Sequence, residues 1–388
     1  MNSAIMHARR FGLQARRCLA ANQPTWCCKP HTSTLGRGAA TRTPSATAPA
    51  VATTAAQQSP TAAAEAAPAA AATAGAAGKT AVQILDERTA PEKLRDISTL
   101  ILDCDGVLWR GSEIIHNAPE ALRVWRREGK RLLFVTNNSS KSRAEYAAKF
   151  RGLGLEVTPE EIVSSSYCAA AYLTSVGFGA GGSRAGQKVL LLGWSGVEQE
   201  LQTAGIPFIG GRDFPLPPMD NIDAMAALEV DPAIGAVVVG WDPSFSYSRI
   251  VYASICLREL PGCDLLVATN TDCADHMGGG RMMPGTGGLV RAVEVAAGVQ
   301  AVNVAKGGDW LLPYLCRTYG LDPARTAIIG DRLDTDIFLG RQGGLFTCLP
   351  LTGVTTLERL GRLPVSELPD LVVPSVAQLA GLSGPPRQ

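Results

Sequence analysis

From residue 97 onward, short runs of consecutive apolar residues alternate with longer stretches whose apolar positions recur at helical spacing. Runs of four to six such residues suit strands buried on both faces, and alternation with helices is the signature of βαβ units on a mostly parallel sheet. The first run, Thr99-Leu100-Ile101-Leu102, breaks into Asp103-Cys104-Asp105-Gly106-Val107. A helix is expected over 118–128, with Pro119 near its start and Gly129 just past its end, the usual helix punctuation. The strand Arg131-Leu132-Leu133-Phe134-Val135 comes next and stops at Thr136-Asn137-Asn138-Ser139-Ser140; a helix from about Arg143 is ended by Gly152 and Gly154. Ile162-Val163 and a helix around 167–174 continue the same layer.

The Gly-rich break over 177–186 reads as a hinge. Beyond it Lys188-Val189-Leu190-Leu191-Leu192-Gly193 starts a second α/β pattern, with further strands at 236–240 and 265–269. This stretch is long enough to have a small core of its own, and apolar runs ending in reactive residues flank it on both sides. It therefore reads as an insertion into the first domain, not as a tandem partner. The first domain resumes with Ala301-Val302-Asn303-Val304-Ala305, which ends at Lys306, and Thr326-Ala327-Ile328-Ile329, which ends at Gly330-Asp331-Arg332. Phe346 to Leu349 and Leu371 to Val373 supply further strands. The expected fold class is α/β, a Rossmann-like parallel sheet over 81–179 and 300–388 with an inserted α/β domain over 180–299.

Composition changes the picture at the N-terminus. A length of 388 residues suits two folded units plus a segment without a core. The first eighty residues carry Arg9, Arg10, Arg16, Arg17, Lys29, Arg37, Arg42 and Lys79 against the single acid Glu65, in a background of Ala, Ser, Thr and Pro. That is the composition of an organelle transit peptide, with the chloroplast as expected destination and the mitochondrion as the alternative. Without this segment's charges, the chain's 36 basic and 35 acidic residues become 28 and 34, a net charge of about −6. Such a balance does not favour nucleic acid or an anionic membrane surface as partner. No apolar run approaches the ~18 residues of a membrane span. Of ten cysteines, the seven beyond the leader form no CxxC pair and mostly lie in apolar or helical runs, so buried thiols are expected.

The chemistry lies where the runs stop. Four of them end at Asp103 and Asp105, at Thr136 with Asn137, at Lys306, and at Asp331 with Asp336. Parallel strands deliver their carboxyl ends to one sheet edge, so these groups should converge although some 200 residues separate first from last. Taken singly, each has a plainer reading: a surface acid pair, a helix cap, a solvated lysine, a polar loop. The ordered set is what carries the inference. Carboxylates gathered at neutral pH repel, and a hard dication such as Mg²⁺ relieves that, with Asp103 and Asp331 as natural ligands and Asp336 in support. Thr136, the amides after it and Lys306 add donors and positive charge, which suits stabilisation of a phosphoryl group during in-line transfer. An aspartate beside the metal can attack phosphorus, and a second carboxyl two residues on can move the proton.

The motifs DCDGVLWRG, FVTNNSSKSR, VVVGWD, ATNTD with the later PGTGG, and GDRLDTDI together resemble the haloacid dehalogenase superfamily of phosphatases. Within it the chain resembles the eukaryotic phosphoglycolate phosphatase and p-nitrophenylphosphatase family, which includes pyridoxal phosphatase, over about residues 97–380. The resemblance implies Asp103 as nucleophile and Asp105 as general acid/base, with the Asp105 backbone carbonyl also on Mg²⁺. It implies Thr136, Asn137 and Asn138 as phosphate binders, Lys306 as the neutralising cation, and Asp331 and Asp336 at the metal. The inserted domain becomes a cap that closes over the core and selects substrates. The expected reaction is Mg²⁺-dependent hydrolysis of a small phosphorylated metabolite, 2-phosphoglycolate first, with pyridoxal 5′-phosphate or a broad range of aryl phosphates as alternatives. A homodimer through the cap is also expected.

One departure stands out: the family's usual Gly-Lys-Pro is here Ala305-Lys306-Gly307-Gly308, followed by Asp309. Loss of the proline should free the loop and let Asp309 pull the lysine from the phosphate. Activity would then fall or the substrate range change, in the extreme leaving a protein that binds without turnover. The cap segment from Asp272 to Pro284, with His276, Met277 and three glycines, is expected to form part of the specificity surface.

Overall fold

The computed structural model describes residues 82–216, 219, 221–276 and 281–384, so the leader lies outside the described residues. A six-stranded parallel sheet forms the core. Its order is Leu371–Val373, Phe346–Pro350, Thr326–Ile329, Thr99–Leu102, Arg131–Thr136 and Ile162–Ser164. The opening strand Thr99–Leu102 is therefore central, and Leu102 pairs with Ile329 on one side and Phe134 on the other. All four of its residues are buried, as an uninterrupted apolar run requires of a strand covered on both faces. Alternation divides them: Leu100 and Leu102 pack with Phe134, Trp125 and Phe150, while Ile101 packs on the opposite face with Leu133, Val135 and Ile328.

A second parallel sheet has the order Val302–Asn303, Leu265–Ala268, Ile234–Val239, Lys188–Leu192 and Phe208–Gly210. In the chain its strands all fall between those at Ile162–Ser164 and Thr326–Ile329, which makes it an α/β insertion. One element departs from expectation. The run 301–305 does not rejoin the core: Val302 and Asn303 pair with Val267 and Ala268 at the edge of the second sheet. That sheet thus continues past residue 299, and Lys306 leaves the inserted unit rather than a core strand. The apolar run alone could not choose between two parallel sheets, since either edge would cover it.

Helix ends follow their local chemistry. The helix Arg143–Gly152 opens with a capping box, in which Ser142 Oγ accepts from the Glu145 amide (3.2 Å) and Glu145 Oε2 from the Ser142 amide (2.8 Å). The Ala118–Arg127 helix has Pro119 in its first turn. Two short antiparallel hairpins, Trp109–Arg110 with Glu113–Ile114 and Ala274–His276 with Met282–Pro284, escape a reading based on long apolar runs. Met277 and the glycines 278–280 lie outside the described residues. No described helix is long and apolar enough to cross a membrane. All seven described cysteines are free; Cys104, Cys168, Cys256, Cys263 and Cys348 are buried, Cys316 is half-buried and Cys273 is exposed.

Candidate active site

Asp103 follows the central strand and keeps its ladder for one more residue, its amide donating to the Ile329 carbonyl at 2.9 Å. Its Oδ1 accepts from the Cys104 amide at 2.8 Å and faces Lys306 Nζ at 2.7 Å. The same ammonium donates to Asp336 Oδ1 at 2.7 Å, so one buried lysine bridges two buried carboxylates. Asp331 arrives from the neighbouring strand, and carboxylate oxygens of Asp103, Asp331 and Asp336 lie within 4.8 Å of one another. Asp336 reaches back because residues Leu333–Ile337 form a wide π-helical turn, Ile337 donating to the Arg332 carbonyl. Close backbone approach makes room for Asp331: a Cβ on Gly353 would stand 1.8 Å from its Oδ2, so only glycine fits.

The electrostatics of this cluster are strained. Burial, then the charges of Asp103 and Asp336, push the Asp331 carboxyl up to about 7. Burial pushes Asp336 up to about 6 against the pull of Lys306, and raises Asp103 against the same pull. Burial opposes the charge on Lys306 as well, yet the two carboxylates hold it well above the ordinary lysine range. Asp331 Oδ1 is buried without any hydrogen-bond partner, although its Oδ2 accepts from the Val354 amide at 2.5 Å. Three converging carboxylates with one orphaned oxygen fit a hard dication with oxygen ligands, and Asp103, Asp331 and Asp336 are the residues that would hold it.

This arrangement has a pH signature. Asp331 and Asp336 hold protons more tightly in the folded protein than in the unfolded chain, where an aspartate titrates near 3.8. The folded state is then the more protonated one between about pH 4 and pH 7, so metal-free stability falls as pH rises through that window. A cation binds the deprotonated cluster and opposes the fall. Mg²⁺ should raise Tm clearly at pH 8 and little at pH 5, read by thermal melts with and without the ion; an equal shift at both pH values contradicts the cluster as its site.

A cavity of about 610 Å³ opens over the cluster, lined also by Asp105, Thr136, Asn137, Asn138, Asp272 and Arg332. Thr136 is buried at the end of its strand, its Oγ1 accepting from the Asn138 amide at 3.2 Å. Other expected groups are arranged differently from the expectation. The Asp105 carboxylate stands apart from the acid cluster, with Oδ1 accepting from the Trp109 indole N–H at 2.7 Å and forming an ion pair with Lys149 Nζ at 3.8 Å. The Asn137 amide is committed within the protein: its Nδ2 donates to Asp272 Oδ1 (3.0 Å), and its Oδ1 accepts from the Lys306 amide (3.0 Å). Asn138 Oδ1 accepts from Ser140 amide and hydroxyl, which leaves the exposed residue as a turn former.

The lysine loop also departs from expectation. Lys306 is 2 % exposed and doubly paired, and no ion pair joins it to Asp309 among the described residues. Gly307 has φ +95°, a left-handed conformation closed to proline, so the loop turns by another route and still delivers the lysine. Asp272, which opens the segment expected to contribute to specificity, lines the cavity; Arg110 and Arg332 line it too without having been candidates, since neither follows a buried strand directly, although Arg332 lies one residue beyond Asp331.

A family model described as haloacid dehalogenase-like hydrolase matches residues 100–207, and one described as HAD-hydrolase-like matches 297–379. The chain is 41% identical over 279 residues to phosphoglycolate phosphatase 1A, chloroplastic, of Arabidopsis thaliana, covering 70% of this chain and 73% of that protein. It is 42% identical over 307 residues to the glycerol-3-phosphate phosphatase of Homo sapiens, covering 76% and 94%. Among solved structures it is similar to a p-nitrophenyl phosphatase from Archaeoglobus fulgidus, with TM-score 0.61, 27% identity, and coverage of 74% of this chain and 98% of that one.

Proposed function

Because the chain belongs to the haloacid dehalogenase-like hydrolases and is a phosphoric monoester hydrolase acting on small phosphate substrates, we propose that it cleaves 2-phosphoglycolate through an acyl phosphate on Asp103. The observation that supports this most strongly is the junction of Asp103, Asp331 and Lys306 on the floor of one cavity, with Asp336 buried beneath them against the same lysine.

Asp103 has one oxygen, Oδ1, anchored by the Cys104 amide and Lys306, while Oδ2 has no hydrogen bond among the described residues and is the attacking atom. It forms the new bond to phosphorus as the ester P–O bond breaks. Asp105 gives its proton to the departing oxygen, then takes one from the water that attacks phosphorus, and inorganic phosphate leaves as Asp103 is restored. Lys306 stays charged and close to the oxygens of the phosphoryl group, while Thr136 offers its hydroxyl. Mg²⁺, when bound, relieves the repulsion among the acids and withdraws charge from the phosphoryl oxygens. Residues 180–303 act as the cap, and Asn137 ties that unit to the core through Asp272 and the Lys306 loop.

The substrate reading is supported by the chloroplastic relative, by the basic leader, and by Arg110 at the cavity, which suits a carboxylate beside the phosphate. Chloroplast targeting and pairing through the cap belong to the same proposal. A panel of 2-phosphoglycolate, glycerol 3-phosphate, pyridoxal 5′-phosphate and p-nitrophenyl phosphate, with and without Mg²⁺, tests it. The kcat/KM for 2-phosphoglycolate should exceed the others by at least about tenfold and vanish without the ion. A clear preference for glycerol 3-phosphate or pyridoxal 5′-phosphate overturns the choice of substrate.

A further inference from the structure

Asp105 lines the cavity, yet its side chain is 49% exposed and takes no part in the buried acid cluster. What orients it comes from two other places in the fold. The Trp109 indole, at the start of the first hairpin, donates to Asp105 Oδ1 at 2.7 Å. Lys149, on the Arg143–Gly152 helix, stands 3.8 Å from the same oxygen and lies over the Trp109 ring at 4.1 Å from its centroid. The indole is itself fixed, fully buried and edge-on to Phe150 at 5.0 Å. A rigid ring therefore holds both the carboxylate, through its N–H, and the ammonium, through its face.

We propose that Lys149 and Trp109 are positioning residues for the proton step. They anchor Asp105 Oδ1 so that Oδ2, which has no hydrogen bond among the described residues, is presented to the oxygen of the leaving group. An exposed carboxylate without such anchors samples its rotamers, and a group that must meet one oxygen loses rate when its orientation is not fixed. Neither residue touches the phosphoryl site, so in the first half-reaction the effect should appear only where the leaving oxygen needs a proton; the hydrolysis of the acyl phosphate, in which Asp105 takes a proton from water, is common to all substrates. This inference rests on the reading of Asp105 as general acid.

The leaving group separates the possibilities. An alkyl phosphomonoester such as 2-phosphoglycolate expels a strongly basic alkoxide and depends on the acid, whereas p-nitrophenolate departs without one. Lys149→Met should lower kcat/KM for 2-phosphoglycolate by about tenfold, a fraction of the 10²–10⁴ that general acid catalysis supplies, and leave kcat/KM for p-nitrophenyl phosphate within about twofold, because kcat/KM reports only the steps through departure of the leaving group. Lys149→Arg should restore most of the loss. Trp109→Phe, which keeps the packed ring and removes the N–H, should repeat the pattern. Equal losses on both substrates, or no loss on either, overturn the inference. Asp105→Asn is the reference: if it shows the leaving-group split and Lys149→Met does not, the positioning role fails alone. If Asp105→Asn shows no split, the underlying reading of Asp105 fails.

Discussion

Asp103→Asn should leave a folded protein whose phosphatase turnover has fallen by at least about four orders of magnitude. The amide has almost the shape of the carboxylate but cannot attack phosphorus, and the covalent route then has no first step. Folding should survive for a specific reason. Asp103 sits in a cluster where carboxylates repel, and burial already pushes its carboxyl above the ordinary range. Losing one negative charge relieves that repulsion, while Lys306 keeps Asp336 as its partner at 2.7 Å. The melting temperature of the variant in metal-free buffer should therefore equal or exceed that of the parent chain. Turnover above a hundredth of the parent rate, in a well-folded variant, removes Asp103 from the role assigned to it.

Lys306→Met should be costly to both stability and rate. The side chain is 2 % exposed and joins Asp103 and Asp336 at 2.7 Å each. Methionine fills similar volume without the ammonium, and leaves three buried acids with no cation on the protein. Removing one partner of a buried pair typically costs about 3–5 kcal/mol, which lowers Tm by roughly 5–15 °C in a domain of this size. The loss should shrink on adding Mg²⁺, and shrink again at pH 5 where the acids accept protons. Catalysis should fall by at least about a hundredfold even in the stabilised protein, since the phosphoryl oxygens lose their fixed charge. Thermal melts across pH and metal concentration check the first part, and rates on the Mg²⁺-loaded variant the second. A variant as stable as the parent in metal-free buffer at pH 8 would show that the lysine does not neutralise the cluster.

Much of this site could be read from the chain because parallel strands carry a direction. Asp103 and Asp331 each follow a buried run, and adjacent strands paired at Leu102 and Ile329 must deliver what comes next to the same edge. Lys306 lies at that edge although its run belongs to the other sheet, since the loop leaving Val302–Asn303 turns down onto the core. The individual pairings were not legible. Asn137 is a strand-end amide that sequence reasoning assigns to phosphate, yet its partners, Asp272 and the Lys306 backbone, come from 135 and 169 residues away. Asp105 looks equivalent to Asp103 until the chain bends after the strand, where a buried tryptophan four residues on captures its carboxylate. The left-handed turn at Gly307 had the same character: the missing proline was visible in the sequence, while the alternative path that keeps the lysine in place was not.

The covalent step at Asp103 is the centre of this account, and acid quenching during steady turnover of 2-phosphoglycolate with Mg²⁺ tests it most directly. Borohydride reduction of the quenched protein, followed by peptide mass spectrometry, should find homoserine at position 103 and aspartate still at 105, 331 and 336. Reduction at any of those three instead, or turnover with no reducible acyl phosphate trapped at any quench time, would contradict it.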